Sequence, residues 1–202
     1  MSNIDYEDEK TWDLFKDGKT KGIFQLESNL GRSWSKKLQP ENIEELAALI
    51  ALIRPGCLKA VIDGKSMTQR FVDRKHNNEE VTYLHDGLED ILKPTYGVLV
   101  YQEQSMRIAQ KLAGFDLKKA DDLRKAIGKK KAGLMAEIKE DFIEGCQEVG
   151  VVNLETATEI FSWIEKSQRY SFNKSHSVSY AYNAYLTAYA KAHFPHEFFT
   201  SY

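Results

Sequence analysis

Residues 40–56 read P-E-N-I-E-E-L-A-A-L-I-A-L-I-R-P-G, and this stretch decides the fold class. Its apolar side chains recur at the spacing of one helix face, at Ile43, Leu46, Ala47, Ile50 and Ile53. Pro40–Glu41 suits the start of a helix, and Pro55–Gly56 ends it. The stretch therefore predicts an α-helix, and helical spacing dominates the chain beyond it.

The rest of the pattern predicts a mainly α fold. Further helices are expected at 67–74, 102–113, about 116–128, about 132–148, 154–167 and 178–193. Residues 20–28 predict a short strand or a turn, and the apolar run 97–101 is a candidate strand beside a helical stretch. Residues 1–17 hold six acidic residues against two lysines, which is typical of a partly ordered acidic leader.

The composition excludes several classes of protein. With 202 residues, 42% hydrophobic and 29% charged, the chain is outside the disordered and low-complexity classes. The longest apolar run, Leu46 to Ile53, is too short for a membrane helix, and the acidic start does not resemble a signal peptide, so a cytoplasmic protein is expected. Cys57 and Cys146 form no paired motif, which argues against a disulfide framework or a cysteine-built zinc site.

The net charge of −2 conceals a basic segment. Residues 107–131 contain nine basic and three acidic side chains, so this segment carries a charge of +6. Such a basic face is what phosphate recognition requires, whatever the total charge.

The first candidate site is A-D-D-L-R-K-A-I-G-K-K-K, residues 120–131. Its cations are Arg124, Lys125, Lys129, Lys130 and Lys131. A helix that buries Ala120, Leu123 and Ile127 would place Arg124 beside the buried stripe and the lysine triplet at the helix end. Converging cations of this kind can bind a polyphosphate and stabilise the charge on a leaving pyrophosphate. The alternative is that the lysines only complement the helix dipole on a solvated face.

The second candidate is Y-S-F-N-K-S-H-S, residues 170–177. It groups an amide, an ammonium, a hydroxyl and an imidazole at Asn173, Lys174, Ser175 and His176. As a loop in which Ser175 or Ser177 caps the next helix, it could hold a phosphate or a sugar edge. An ordinary helix cap is the alternative.

The tyrosines of the helix that follows leave two interpretations open. They are Tyr180, Tyr182, Tyr185 and Tyr189. They could stack on bases, but aromatic residues at helical spacing more often belong to a core.

Acidic and histidine residues predict no metal site. Glu27, Asp63, Asp73 and Glu103 each lie near a turn or an element end, but the sequence has no D-x-D pair and nothing indicates that these carboxylates converge. Isolated solvated acids are the simpler interpretation. His193 and His196 are three residues apart, but Pro195 breaks the helix that would align them.

Taken together, these segments resemble the bacterial DNA polymerase III alpha subunit, the C-family replicative polymerase. The resemblance covers roughly residues 11–202. In order, the matching strings are G-I-F-Q-L-E-S (22–28), L-Q-P-E (38–41), A-L-I-R-P-G-C-L (51–58), F-V-D-R-K-H (71–76), P-T-Y-G-V-L-V-Y-Q-E-Q-S-M (94–106), L-R-K-A-I-G-K-K-K (123–131), F-N-K-S-H-S (172–177) and K-A-H-F-P-H-E-F (191–198).

The resemblance implies a domain plan and site residues. After the leader at 1–17, residues 18–75 would be the C-terminal part of the palm, a small α/β remnant, and 76–202 the N-terminal part of α-helical fingers. The triphosphate-facing role of the family's R-[RK]-A-x-G-K-K-K segment would pass to Arg124, Lys125, Lys129, Lys130 and Lys131. A position by the nucleotide and primer terminus would pass to Asn173, Lys174, Ser175 and His176. Both groups are expected to line one cleft.

This sequence departs from the family pattern at the positions of the metal-binding carboxylates. The family's D-x-D metal-binding pair is absent, and Gln69 stands where a third acid is usual. Asp63, slightly upstream, is the candidate catalytic substitute. Leu30 and Cys57 also depart from the family's usual residues, as a phage-encoded version would.

The resemblance thus implies part of a DNA-directed DNA polymerase that adds deoxynucleotides to a primer 3′ end. Expected partners are primer–template DNA, deoxynucleoside triphosphates and a palm-bearing polymerase chain or segment, with Mg²⁺ bound mostly outside this chain. By itself the chain is expected to be inactive. Two alternatives stay open: a non-catalytic DNA-binding or polymerase-accessory module, and an α-helical nucleotide-binding or structural protein with no nucleic-acid partner.

Overall fold

The computed structural model describes residues 4–129 and 132–202, and within them the chain forms twelve α-helices and one two-stranded hairpin. The helices are α1 (Glu9–Lys16), α2 (Asn29–Leu38), α3 (Ile43–Leu52), α4 (Pro55–Lys59), α5 (Met67–Lys75), α6 (Glu89–Leu92), α7 (Gln102–Ala113), α8 (Leu117–Lys129), α9 (Ala132–Val149), α10 (Leu154–Gln168), α11 (Lys174–His193) and α12 (Pro195–Ser201). The strands are β1 (Val61–Ile62) and β2 (Lys65–Ser66). The predicted mainly α fold class is confirmed.

Contacts divide the chain into two units. Unit 1 contains both ends of the chain, Met1–Lys59 and Lys174–Tyr202, and unit 2 is the intervening Ala60–Asn173. The predicted division into palm and fingers after residue 75 rests on resemblance rather than on packing, and it stays a prediction. In neither unit does a described helix combine the length and hydrophobicity needed to cross a bilayer.

The core of unit 1 is α3, whose helical prediction is confirmed. Eight of its ten residues, Glu45 to Leu52, are buried, so the helix is enclosed on nearly every side. Asn42 caps the start, since its side chain accepts a hydrogen bond from the amide of Glu45 at 2.9 Å. Burial of this apolar surface is the main driving force that holds unit 1 together.

Helix α11 covers α3 with its small residues. The buried face of α11 consists mostly of alanine, at Ala181, Ala184, Ala188 and Ala192. The Ser177 hydroxyl is fully buried and donates a hydrogen bond to the carbonyl of Ala47 in α3. Small side chains let the two helix backbones approach closely. The helix begins at Lys174, four residues before the predicted start. Ser175 and Ser177 therefore lie inside it, and the prediction that one of them caps it is wrong.

The acidic N-terminal segment is more ordered than predicted. Asp8 caps α1 by accepting a hydrogen bond from the amide of Thr11 at 2.8 Å, and Trp12 and Phe15 are buried. The Tyr185 hydroxyl donates to the carbonyl of Asp5 at 2.7 Å. The prediction of a partly ordered leader is therefore wrong for residues 9–16, which form a helix. Burial of two aromatic side chains three residues apart stabilises this helix despite the acidic composition.

Residues 20–28 form a turn and not a strand. The buried Thr20 hydroxyl donates to the carbonyl of Leu26 at 2.6 Å, and Ile23 and Leu26 point into the core. Gln25 has a left-handed backbone, with φ of 66°. Lys21 and Phe24 are exposed, and they lie on a turn that is held in place by this hydrogen bond and by its two buried side chains.

Unit 2 is a helical cluster around α7 to α10. Its core contains Ile108, Leu123, Phe142 and Phe161, one from each helix, and these helices match the predicted ones within a few residues. Gly97 lies in a turn, with φ of 75°, and residues 98–100 belong to neither strand, so the candidate strand at 97–101 is not one of the two strands. The helix expected after them begins at Gln102. The predicted helix at 67–74 is α5.

Helices α7 and α9 cross at Gly145, and this crossing gives a stability prediction. A Cβ added to Gly145 would lie 2.2 Å from the carbonyl oxygen of Ala113 in α7. We expect Gly145→Ala to lower the free energy of unfolding by about 1–3 kcal/mol, since the helices must separate. Gly133→Ala in the same helix is the control, because a Cβ there has nothing within 4 Å. It should change stability by at most about 1 kcal/mol, in the stabilising direction. Urea unfolding followed by circular dichroism would measure both, and equal effects would contradict this account.

Candidate functional site

The C-terminal half of α8 presents the cations that the sequence singles out. Ala120, Leu123 and Ile127 are buried, as predicted, and fix which side of the helix faces the core. Arg124 then lies partly exposed at the edge of that stripe, and Lys125 is exposed. Both cations can therefore reach a ligand in solvent without disturbing the core.

A carboxylate one turn earlier holds these two cations. Asp121 Oδ1 lies 2.8 Å from Arg124 Nη2, and Asp121 Oδ2 lies 2.6 Å from Lys125 Nζ. The hydrogen bonds from Lys125 and Arg124 lower the pKa of Asp121 below its ordinary value. Asp121 thus keeps the guanidinium and the ammonium side by side, an arrangement that suits a ligand with several anionic oxygens.

The rest of the basic segment carries less free charge than its composition indicates. Lys111 Nζ lies 2.7 Å from Asp90, and Lys119 Nζ lies 3.0 Å from Asp141. Lys129 is the last residue of α8, while Lys130 and Lys131 lie outside the described residues.

Phe172, two residues before α11, is held by backbone hydrogen bonds. The Phe172 amide donates to the carbonyl of Val100 at 3.1 Å, and the Gln102 amide donates to the carbonyl of Phe172 at 3.0 Å. Asn173 follows directly and donates from Nδ2 to Glu103 Oε1 at 3.0 Å. Glu103 is therefore not the isolated solvated acid of the sequence interpretation, because it positions a predicted site residue.

The three following site residues form the first turn of α11, so the prediction of a loop is wrong here. Lys174 Nζ lies 3.3 Å from Glu44 Oε2. Ser175 and His176 are exposed, and the His176 ring lies 4.0 Å from the Tyr180 ring, centre to centre. The N-terminal turn of a long helix favours an anion, since its amides and dipole point outward.

The predicted site residues divide between the two units. Arg124, Lys125 and Asn173 belong to unit 2, whereas Lys174, Ser175 and His176 belong to unit 1. Within each unit the geometry leaves these side chains at the surface. The prediction that both groups line one cleft stays a prediction.

The four tyrosines of α11 have different environments. Tyr185 is fully buried, so for this residue the core interpretation is correct. Tyr182 is 41% exposed and contacts Tyr6 edge to face. Tyr180 packs against Phe24, and Tyr189 against His193.

The position of Asp63 is explained by the hairpin between β1 and β2. Asp63 and Gly64 are its two turn residues, with φ of 52° and 84°, and aspartate followed by glycine is favoured in such turns. The Asp63 carbonyl accepts a hydrogen bond from Arg70 Nη2 at 3.0 Å. Its carboxylate is exposed, and its catalytic role stays a prediction.

Across residues 4–129 and 132–202, no group of three or more histidine, cysteine, aspartate or glutamate side chains could hold a metal ion. Gln69, at the third-acid position of the resemblance, donates from its amide to Asp73 Oδ1 at 2.8 Å. Asp73 in turn accepts from Lys65 at 2.6 Å. The described residues therefore do not fit an Mg²⁺ centre.

Sequence reasoning missed an ion-pair network in unit 2 around Glu79. Glu79 contacts Lys65 at 2.7 Å, Arg70 at 3.1 Å and Arg74 at 3.2 Å. Burial opposes its ionisation, but the hydrogen bond from Lys65 and the charges of the two arginines outweigh this and lower its pKa. The i,i+4 spacing of Arg70 and Arg74 was the only signal in the sequence.

The network has a structural role. Arg74 is buried and also donates to the carbonyl of Tyr96 at 3.1 Å, so it joins α5 to the segment before α7. Arg70 and Arg74 line one wall of a cavity of about 590 Å³, and Trp163 and Lys166 line another part. The carboxylate of Glu79 contacts all three cations, and Asp73 contacts Lys65 as well, so two carboxylates hold the three cations here.

The network predicts an acid-sensitive fold. The pKa of Asp73 is held below 3.8, mainly by the hydrogen bond from Lys65, and that of Glu79 below 4.5. Lowered carboxyl pKa values stabilise the folded state above the unfolded-state pKa, and this stability is lost as the pH falls through the folded-state pKa. We expect Glu79→Gln to lower the free energy of unfolding by about 2 kcal/mol at pH 7, because Arg74 loses its partner.

This variant should also flatten the loss of stability below about pH 4.5. Urea unfolding at a series of pH values would measure both effects. Glu80→Gln is the matched control, since the neighbouring Glu80 is exposed. An acid dependence that is unchanged in Glu79→Gln would contradict the assignment.

Comparisons with a family model and with known protein sequences point to the same family. The family model described as "Bacterial DNA polymerase III alpha subunit finger domain" matches residues 1–150. The DNA polymerase III subunit alpha of Aquifex aeolicus is 49% identical over 193 residues, which is 96% of this chain and 16% of that protein. The proteins of that name from Escherichia coli K12 and Pseudomonas aeruginosa are 44% and 45% identical, over 98% and 97% of this chain and 17% of their own lengths. The chain thus spans about one sixth of these relatives.

Proposed function

We propose, because the chain belongs to the bacterial DNA polymerase III alpha subunit finger domain family, that it supplies nucleotide and primer–template contacts to a replicative DNA-directed DNA polymerase. The whole enzyme would transfer a deoxynucleotide from its triphosphate to a primer 3′ end. The observation that supports this proposal best is the pair of cations on α8, Arg124 and Lys125, at the position of the family's R-[RK]-A-x-G-K-K-K segment. A cytoplasmic location and a phage origin stay predictions from the sequence.

The chemistry of these cations is electrostatic. A guanidinium can donate two parallel hydrogen bonds to phosphate oxygens, and each lysine ammonium adds a compact charge. Arg124 and Lys125, with Lys129, Lys130 and Lys131, would bind the triphosphate and stabilise the charge that develops on the pyrophosphate as it leaves. Asp121 holds the first two cations in position without neutralising the whole group.

The start of α11 would contact the nucleotide and the primer terminus. Asn173, held by Glu103, offers an amide, while Ser175 and His176 offer an exposed hydroxyl and imidazole. The attacking hydroxyl belongs to the primer. No residue of this chain is therefore needed as a nucleophile.

The metal chemistry would come from outside this chain. Mg²⁺ held by another part of the enzyme would supply activation of the primer hydroxyl and neutralisation of the phosphates. The described residues of this chain do not provide its ligands, so we assign them to a palm-bearing chain or segment. That assignment predicts an inactive isolated chain.

One observation favours a second candidate, a non-catalytic DNA-binding or polymerase-accessory module. Gln69 occupies the third-acid position, and its amide is engaged with Asp73, so the chain has lost a carboxylate there. A module of this kind would keep the DNA-binding surface without contributing to catalysis.

Primer extension separates the two candidates. We expect no synthesis by the 202-residue chain alone, and template-dependent extension when a palm-bearing polymerase segment is added. The palm-bearing segment alone is the control. Extension by the mixture above that control supports the polymerase proposal. Full activity of the palm-bearing segment without this chain would favour the accessory module.

The lysine triplet predicts a specific loss in that restored enzyme. Lys129→Ala combined with Lys130→Ala should weaken deoxynucleoside triphosphate affinity by about tenfold or more, since two charge-assisted phosphate contacts are lost. The stability of the chain should change by less than about 1 kcal/mol. Lys93→Ala, an exposed lysine of unit 2, is the control. Unchanged triphosphate affinity in the double variant would contradict the assigned role.

A further inference from the structure

Unit 1 carries a second surface, which the assignment above does not use. Tyr180, Thr187 and Lys191 are seven and four residues apart on α11, so they lie along one side of the helix. The turn at 20–28 packs against this side, since the Phe24 ring lies 5.2 Å from the Tyr180 ring. The turn and the helix therefore form one continuous face.

Lys191 is the centre of positive charge on this face. Its Nζ donates hydrogen bonds to the carbonyls of Lys19 and Lys21 at 2.7 and 2.8 Å, so it is tied to the turn by neutral acceptors. Among the described residues, Lys191 has no ion pair with a carboxylate, and neither have Lys21 and Arg32. This contrasts with α8, where Asp121 compensates the cations.

These cations act on one another. Burial lowers the pKa of Lys191, and the charges of Arg32 and Lys21 lower it further, with only Glu27 opposing them. Mutual repulsion of this kind costs free energy in the isolated protein. A bound polyanion would remove that cost.

Exposed aromatic rings flank the cations. Phe24 is 39% exposed and Phe199 is 54% exposed, and the Phe199 ring lies 5.7 Å from Lys191 Nζ. Helix α12 can bring its rings to the turn because residue 22 is a glycine. A Cβ there would lie 2.9 Å from the Phe198 ring, and its φ is 78°.

We propose that this aromatic–basic strip, formed by Lys21, Phe24, Arg32, Tyr180, Lys191 and Phe199, binds single-stranded DNA. Cations without carboxylate partners can contact the phosphates, and exposed rings can stack on unpaired bases. A duplex would offer its phosphates to the cations but no free base faces to the rings, because its bases are already stacked and paired. From Tyr180 to Lys191 the helix rises about 16 Å, which is enough to contact more than one nucleotide.

The inference rests on the proposed function only in taking DNA as the substrate. It adds which form of DNA is bound and which residues bind it. None of the six strip residues belongs to the proposed triphosphate site.

Fluorescence anisotropy with the 202-residue chain tests the proposal, with a labelled oligothymidine and a duplex of equal length as probes. The single strand should bind more tightly at each salt concentration. Lys21→Ala combined with Arg32→Ala should reduce the slope of log affinity against log salt by about 1.4, since each lost phosphate contact on a single strand accounts for about 0.7. Lys191 is left unchanged because it holds the turn.

The aromatic contribution has its own variant. Phe24→Ala combined with Phe199→Ala should weaken single-strand binding by about fivefold or more and leave the salt slope unchanged. If circular dichroism shows that this variant does not fold, Phe24→Leu with Phe199→Leu keeps the apolar volume and removes the rings. Lys10→Ala with Lys59→Ala, two exposed lysines of unit 1 outside the strip, is the matched control.

The outcomes are distinct. The proposal would be overturned if the strip variants bound the oligothymidine with the same affinity as the unaltered chain. It would also be overturned if duplex and single strand bound with equal affinity and the aromatic substitutions had no effect. Failure of primer extension together with the expected strip effects would contradict the polymerase function and still support the strip as a single-strand site.

Discussion

The packing of α11 on α3 is the contact on which the arrangement of unit 1 depends. An apolar helix near the start of the chain is enclosed by a helix near its end, and small residues at Ala181, Ala184 and Ala188 allow the close approach. The buried hydrogen bond from Ser177 to Ala47 fixes the position of α11 along α3. The same contact therefore places the first turn of α11, whose Lys174 also pairs with Glu44 of α3, and the part of the aromatic–basic strip that lies on α11.

Charge compensation distinguishes the surfaces of the protein. On α8, Asp121 pairs with two cations, and around Glu79 three cations share two carboxylates and link α5 to its surroundings. Around Lys191, backbone carbonyls and a ring take the place of carboxylates. Because Lys191, Arg32 and Lys21 repel one another and have no carboxylate ion pair among the described residues, that face is a better candidate for binding a polyanion than its composition alone indicates.

Periodicity predicted seven of the twelve described helices, α3, α5 and α7 to α11, because their apolar residues recur at helical spacing over several turns. It did not predict α1, α2, α4, α6 and α12, most of which are short. It failed where long-range packing decides. Ser177 reads as a cap but is buried against Ala47, and Trp12 and Phe15 order a segment that composition describes as a leader. The pairing of Asn173 with Glu103, seventy residues apart, has no local signal. The site residues were singled out in the sequence as clusters of cationic and polar side chains, the family resemblance gave them their roles, and their geometry needed the structure.

The central proposal, which the family resemblance implies, is that the cationic end of α8 and the start of α11 contact the same nucleoside triphosphate. Photolabelling of the restored polymerase with a deoxynucleotide that carries an aryl azide on its γ-phosphate, followed by peptide mapping, measures this directly. The account predicts labelled peptides from residues 124–131 and from residues 173–176, both suppressed by excess unlabelled nucleotide. Labelling that spares either segment, while the enzyme still extends primers, would contradict it.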